Sequence, residues 1–226
     1  MGISRLQSSF ARIFYQRCFY LFISLLALMV AGAFVATDQG RILIGATHVM
    51  VLVATVAAVG RTPTPFVIAL LLGLPAFGFQ FLTLQGLEDL AYGSLISTSF
   101  YLAFYVVAIS YLLRYVFSPE VMTDDKLFGA ASAFFMLGVA WAIAYALVQR
   151  LDPAAFGVKP GDQLRSFNDL LFMSMGYLTS NGPGDIVLVG AKVRTLAIME
   201  QLFGTLFVAI LIARLAGIYP PKAEDR

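Results

Sequence analysis

The residue types best suited to chemistry lie together in one short polar stretch, residues 179–185, which has the sequence T-S-N-G-P-G-D. Residues 169–178 before it are mostly apolar and predict a short helix, and long apolar segments flank the pair on both sides. A short helix followed by irregular backbone at membrane depth is tolerated only where that backbone lines a water-filled cavity. Ion channels present carbonyl oxygens to ions from backbone of this kind. The stretch therefore predicts a re-entrant pore loop.

The residue types in this loop suit the binding of a cation. Gly182 and Gly184 adopt positive φ at no steric cost, and alternating handedness along a strand turns successive carbonyls toward one axis. Asp185 would place a carboxylate at the outer mouth, where a ring of such groups would concentrate cations. The C-terminal end of the preceding helix, near Leu178, directs its partial negative charge toward the same place.

The composition is that of an integral membrane protein. Of the 226 residues, 60% are hydrophobic and 12% are charged, against about 45–50% and 25% in soluble domains. The net charge of +2, with basic residues scattered at span ends, predicts no nucleic-acid partner. The single cysteine, Cys18, excludes an intrachain disulfide and a cysteine-rich metal site. Without a His/Cys/Asp cluster, a Gly-x-Ser-x-Gly motif or paired intramembrane aspartates, we predict no enzyme activity, no cofactor and no fixed metal site.

Six apolar segments predict transmembrane helices, since each is near the roughly 20 residues that a bilayer requires. They are residues 19–36, 42–60, 66–84, 95–117, 127–149 and 191–218. Residues 1–18 interleave arginines with apolar side chains, which predicts an amphipathic helix on the inner leaflet. The first apolar run exceeds the roughly 7–15 residues of a signal-peptide core, so we interpret it as a retained span.

The lysines and arginines predict how these spans are oriented. With the N-terminus inside, nine of the 15 basic residues lie on the inner side and six on the outer side, five of those six beside the loop. We therefore predict a multi-pass protein of the cell inner (plasma) membrane, embedded in membrane lipids, with both termini cytoplasmic. The connections are short and only about a dozen residues follow Arg214, so we expect no soluble ligand-sensing domain.

Read without a gap, residues 179–185 resemble the T-T-x-G-Y-G-D selectivity filter of potassium channels. The resemblance extends upstream through D-L-L-F-M-S, residues 169–174, which are similar to the pore helix of bacterial members. It extends downstream through residues 194–204 and 208–215, which are similar to the inner helix. About 60 residues, from 162 to 219, carry it. The chain is thereby identified as potassium channel-like, similar to bacterial six-transmembrane members of the two-helix pore-loop channel family.

This resemblance implies an all-α membrane protein of six transmembrane helices plus a re-entrant pore helix and filter, with four copies surrounding a central pore. Residues 19–117 would form a peripheral four-helix domain and residues 118–226 a pore domain that conducts K⁺ or Na⁺ passively. The implied filter residues are Thr179, Ser180, Asn181, Gly182, Pro183, Gly184 and Asp185, supported by Asp169 and Glu200. The implied inner-helix hinge and cavity residues are Gly204, Thr205, Val208, Ala209, Ile212 and Ala216.

The chain departs from the family pattern at the filter itself. Pro183 replaces a tyrosine and Asn181 replaces an aliphatic residue. Proline holds φ near −65°, which is compatible with a right-handed position between two glycines, and its carbonyl remains available. The aromatic ring that props the family's filter at a fixed diameter is lost, however. We therefore predict a cation pore with altered, reduced selectivity for potassium.

Two residues of the last span leave alternatives open. Gly204 lies in mid-span, where the missing Cβ serves either a gating hinge or the close approach of a neighbour. Glu200 is the one acid well inside an apolar span, and an intramembrane ionisable group is a functional candidate by default. We favour a structural role for it, a hydrogen bond to the pore-helix backbone or to a neighbouring subunit.

The gating stimulus is not predicted by the remaining spans. A voltage sensor needs several regularly spaced arginines, and the fourth span has only Arg114 at its inner end. His48, the only histidine, suits either a proton sensor or, as we favour, a neutral hydrogen-bonded side chain between helices.

Two other functions compete with a channel. A secondary transporter also uses broken helices at mid-membrane, but it predicts paired broken segments in two related halves, and only one is found. A non-conducting membrane subunit, with a relic loop closed by Pro183, is the other alternative.

Overall fold

The computed structural model describes residues 17–34, 38–59, 67–75, 78, 91–119, 121–159, 163–182 and 184–218. These residues form seven α-helices and no strand. The helices are α1 (Arg17–Ala31), α2 (Asp38–Val59), α3 (residues 67–75), α4 (Ala91–Val116), α5 (Asp124–Leu151), α6 (Phe167–Leu178) and α7 (Ala191–Ile218). Two 3₁₀ turns, Gly32–Phe34 and Pro153–Phe156, follow α1 and α5. The predicted all-α fold is confirmed for this part of the chain.

Among the described residues, three helices are long and apolar enough to cross a membrane, which indicates a membrane protein by length and composition. They are Leu95–Val116 within α4, the whole of α5, and Ala191–Ala216 within α7, and they coincide with the fourth, fifth and sixth predicted spans. Two further apolar helices, Arg17–Ala31 and Ala46–Ala58, are shorter.

The first predicted span, residues 19–36, differs from the helix that forms. Helix α1 has 15 residues, which is about 22 Å at 1.5 Å per residue, and the chain tightens into a 3₁₀ turn from Gly32. The amphipathic segment predicted for residues 1–18 and much of the span predicted for residues 66–84 lie outside the described residues.

Helix α5 is the centre of the fold, because it packs against α1, α4, α6 and α7. Small residues on its surface make these close contacts possible. Gly129 lies against the side chains of Val116 and Cys18, and Gly138 lies against Met175 of α6. The helix begins after Thr123, whose hydroxyl accepts a hydrogen bond from the amide of Lys126 at 3.3 Å. A side chain of this type at the N-cap stabilises a helix by about 1 kcal/mol.

A polar cluster joins the start of α5 to the end of α7. Asp125 accepts a hydrogen bond from the Tyr115 hydroxyl at 2.8 Å and from the backbone amide at the start of α1 at 2.9 Å. Lys126, which is 2% exposed, donates to the Ser118 hydroxyl at 2.8 Å. The guanidinium of Arg214 donates to the Ser118 backbone carbonyl. The link between α4 and α5 therefore contacts the last turns of α7 directly.

The start of α6 is fixed by a reciprocal capping box. The Ser166 hydroxyl accepts from the Asp169 amide at 3.2 Å, and the Asp169 carboxylate accepts from the Ser166 amide at 3.0 Å. Helices α1 and α2 also reach this end of α6. The Asn168 side chain donates to the Gly32 carbonyl at 3.1 Å, and the rings of His48 and Phe167 lie 5.8 Å apart.

Candidate functional site

The loop of residues 179–185 is anchored on the C-terminal end of α6. Helix α6 has 12 residues and is about 18 Å long, too short to cross a bilayer. The amide of Thr179 donates to the Met175 carbonyl at 3.0 Å. The amides of Asn181 and Gly182 both donate to the Gly176 carbonyl, at 2.8 and 3.1 Å. The loop backbone therefore turns directly on the last turn of the short helix.

The backbone of this loop alternates in handedness. Ser180, Gly182 and Gly184 have φ of +62°, +95° and +68°, whereas Asn181 between the first two does not have positive φ. Pro183 lies outside the described residues, although its ring restricts φ to about −65° in any structure. Positive φ was predicted for both glycines, and both have it. The Gly182 carbonyl oxygen lies against Gly176 of α6.

Ser180 was not predicted to share this conformation. It is the one described non-glycine residue with positive φ, a conformation that costs an L-residue roughly 1–2 kcal/mol. Its amide donates to the Tyr177 carbonyl at 2.9 Å and the Asn181 amide donates to the Gly176 carbonyl at 2.8 Å, which is the Schellman arrangement that ends a helix with one left-handed residue. Its hydroxyl lies 3.4 Å from the Thr205 hydroxyl, so this residue faces α7.

Replacing Ser180 with glycine is expected to stabilise the protein by about 1 kcal/mol, because glycine adopts this φ without strain. The measurement is the free energy of unfolding in detergent micelles. Gly182→Ala is the matched control: nothing lies within 4 Å of the added Cβ, so only its φ of +95° is strained and the change should destabilise. Equal effects of the two substitutions would contradict the alternating backbone.

Glycines let the loop, α6 and α7 approach one another without side chains between them. A Cβ on Gly176 would occupy the position of the Gly182 carbonyl oxygen, and one on Gly204 would occupy that of the Leu178 carbonyl oxygen. A Cβ on Gly184 would lie 2.7 Å from the Phe172 ring. The structure therefore places Gly204 in direct backbone contact with the end of the short helix, which is the close-packing alternative.

Glu200 lies behind the loop, where it joins three helices. Oε2 of its carboxyl group accepts a hydrogen bond from the Tyr145 hydroxyl of α5 at 2.6 Å. Oε1 is hydrogen-bonded to the Ser174 hydroxyl of α6 at 2.5 Å. All three side chains are 0% exposed. The expected partner was the α6 backbone or a neighbouring subunit, and the partners found are two side chains. Ser174 and Tyr145 were not singled out by the sequence, since neither belongs to a motif.

Asp169 lies far from the loop. It belongs to the capping box at the first turn of α6, nine residues before Leu178, which corresponds to about 14 Å along a helix. Any support that it gives to the loop is transmitted through α6.

The segment that follows the loop, residues 186–189, packs into a separate apolar cluster. Asp185 is exposed, whereas Ile186 and Leu188 after it are buried. The amide of Val189 donates to the Ala155 carbonyl at 2.9 Å, and the Arg194 side chain donates to the Leu188 carbonyl at 2.7 Å. The exposed carboxylate is thus followed by a fixed segment rather than by free chain.

Helix α7 is left open on the face predicted to line a cavity. All five residues of that face are exposed in the single chain: Thr205, Val208, Ala209, Ile212 and Ala216. Leu202, Leu206 and Ile210 on another face are also more than half exposed, at 56%, 56% and 55%. Burial on this helix is concentrated on the side of Glu200, Gly204 and Phe207. A single chain therefore leaves large apolar surfaces of α7 uncovered beside the loop.

No protein-family model matches this chain, and neither a curated protein nor a solved structure matches it at the threshold applied. The functional assignment therefore depends on the residues and their geometry.

Proposed function

We propose that the chain is one subunit of a homotetrameric cation channel, in which residues 179–185 of each copy form the ion-conduction filter. The observation that supports this most directly is the positive φ of Gly182 and Gly184, the two glycines on either side of Pro183. An alternating strand turns its carbonyl oxygens to one side, and a ring of such oxygens can replace the hydration shell of a cation. The carboxylate of Asp185 follows at the exposed end and attracts cations to it.

The uncovered surface of α7 supports the proposed assembly. One chain supplies one strand of carbonyls, and closed cyclic symmetry is the usual way in which identical subunits enclose an axis. In the proposed tetramer the Thr205 face of α7 lines the cavity, and other exposed apolar surfaces of α7 contact neighbouring copies or lipid. Six spans per chain, with both termini cytoplasmic in the inner (plasma) membrane, complete the arrangement.

Reduced potassium selectivity is part of the proposal. The loop is braced by two backbone hydrogen bonds to the Gly176 carbonyl and by the Phe172 ring beside Gly184, not by an aromatic ring at position 183. A filter with fewer fixed contacts holds its carbonyl spacing less tightly, and selectivity depends on that spacing or on the field of the carbonyls. We expect the bi-ionic reversal potential in lipid bilayers to show weak discrimination. A preference for K⁺ over Na⁺ of about a hundredfold or more would contradict this part.

Cation flux into vesicles that contain only the purified protein tests the conduction itself. We expect K⁺ and Na⁺ to flow down their gradients in protein-containing vesicles and not in empty ones. Uphill movement of a solute coupled to an ion gradient would indicate a secondary transporter instead. Vesicles with intact tetramers but no flux of K⁺, Na⁺ or Ca²⁺ would indicate a non-conducting subunit.

A further inference from the structure

Four groups with five oxygen atoms form an unbroken hydrogen-bond chain where α5, α6 and α7 meet. The Tyr145 hydroxyl lies 2.6 Å from Oε2 of Glu200, and Oε1 of Glu200 lies 2.5 Å from the Ser174 hydroxyl. The Ser174 hydroxyl lies 2.7 Å from the backbone carbonyl oxygen of Gly138. Each of these separations is within the range of an O–H···O hydrogen bond, so each requires one hydrogen between its two oxygens.

The number of hydrogens decides the protonation state of Glu200. Three contacts need three hydrogens, and the hydroxyls of Tyr145 and Ser174 supply one each. The Gly138 carbonyl supplies none, because it is only an acceptor. If Glu200 were ionised, both hydroxyls would donate to it, and the two oxygens of Ser174 and Gly138 would face each other at 2.7 Å with no hydrogen between them. The third hydrogen must therefore come from the carboxyl group.

The surroundings of Glu200 agree with this count. The carboxyl group is 0% exposed, and burying an ionised carboxylate without a partner cation is strongly unfavourable. Its hydrogen-bond partners in the described part of the chain are Tyr145 on α5 and Ser174 on α6, and neither carries a positive charge. Tyr177 on α6 also interacts electrostatically with Glu200, and tyrosine carries no positive charge.

We infer that Glu200 is a buried proton-binding site, and that its proton completes a directed chain in which Tyr145 donates to Glu200, Glu200 to Ser174, and Ser174 to the Gly138 carbonyl. This chain of hydrogen bonds joins α5, α6 and α7 through one carboxylic acid. Loss of that proton would remove one hydrogen bond and leave a charge among uncharged partners. This inference concerns the state of one side chain and does not depend on whether the protein conducts ions.

The test counts protonated glutamates directly. The chain has four, Glu88, Glu120, Glu200 and Glu224, so the protein is labelled with ¹³C at the glutamate side-chain carboxyl and reconstituted in lipid at neutral pH. We expect one of four carboxyl signals at the chemical shift of a neutral acid and three at that of a carboxylate. Glu200→Gln should remove the neutral-acid signal, and the matched variant Glu120→Gln should leave it in place.

Two results would overturn the inference. One is a spectrum of the unsubstituted protein in which all four signals are those of carboxylates, which needs no variant at all. The other is a neutral-acid signal that persists in Glu200→Gln. Should that variant not fold, Tyr145→Phe provides the assignment, because loss of its hydrogen bond must shift the neutral-acid signal if it belongs to Glu200. An unshifted signal would also contradict the inference.

Discussion

Gly176→Ala is expected to reduce cation flux about tenfold or more and to destabilise the fold. The added Cβ would occupy the position of the Gly182 carbonyl oxygen, and the same region holds the hydrogen bonds from Asn181 and Gly182 to the Gly176 carbonyl. Because the contacted atom belongs to backbone, relief requires the loop itself to move. Overpacking of this kind costs about 1–3 kcal/mol, and each 1.4 kcal/mol shifts the equilibrium toward a displaced loop about tenfold.

Gly190→Ala is the matched control for this prediction. Gly190 lies directly before α7; its φ is not positive, and its added Cβ would make an ordinary contact of 3.4 Å with the Ala155 Cβ. Flux and unfolding of this variant should stay close to those of the unsubstituted protein. Equal flux in the Gly176→Ala and Gly190→Ala variants would mean that the loop does not need its contact with α6.

Gly204→Ala is expected to be the second severe substitution. Alanine favours a helix by up to about 1 kcal/mol over glycine. If Gly204 affected only the helix α7 itself, the substitution would therefore stabilise the protein. The Leu178 carbonyl oxygen, however, lies where the Cβ must go. We expect α7 and α6 to separate, with a net loss of about 1–3 kcal/mol in unfolding free energy and loss of flux.

A second variant separates close packing from a gating hinge at this position. Moving the glycine five residues along α7, as Gly204→Ala with Ala209→Gly, restores a flexible point in the helix but leaves the Cβ at position 204 against Leu178. If Gly204 serves packing, the double variant remains as unstable as Gly204→Ala, with a further cost of up to about 1 kcal/mol. Recovery of both flux and stability in the double variant would instead favour the hinge.

The long elements could be predicted from the sequence because their signals are local. The apolar lengths of α5 and α7 place both helices near their predicted bounds, and the short α6 was predicted from the polar residues that end its apolar run. Gly182 and Gly184 were predicted to take positive φ because glycine alone does so freely, and both do.

Other features depend on contacts that sequence does not display. Ser180 takes positive φ because α6 ends in a Schellman cap, and the exact end of a helix is not visible in its apolar pattern. Tyr145 and Ser174 gain their importance from Glu200, 55 and 26 residues away. The early end of α1 at Ala31 is likewise invisible in an apolar run that continues through Phe34 and Val35. The importance of Tyr145 and Ser174 depends on a partner on another helix, and the apolar pattern does not mark where α1 ends.

The most direct test of the central proposal is a density map of the purified protein in lipid. The account predicts four copies around an open axis, with the loop of residues 179–185 from each copy at that axis. The carbonyl oxygens of the loop, apart from that of Gly182 against Gly176, should face the axis, and the Glu200 side of α7 should face away from it. A map in which this loop lies off the axis, or in which the assembly has no central opening, would contradict the account.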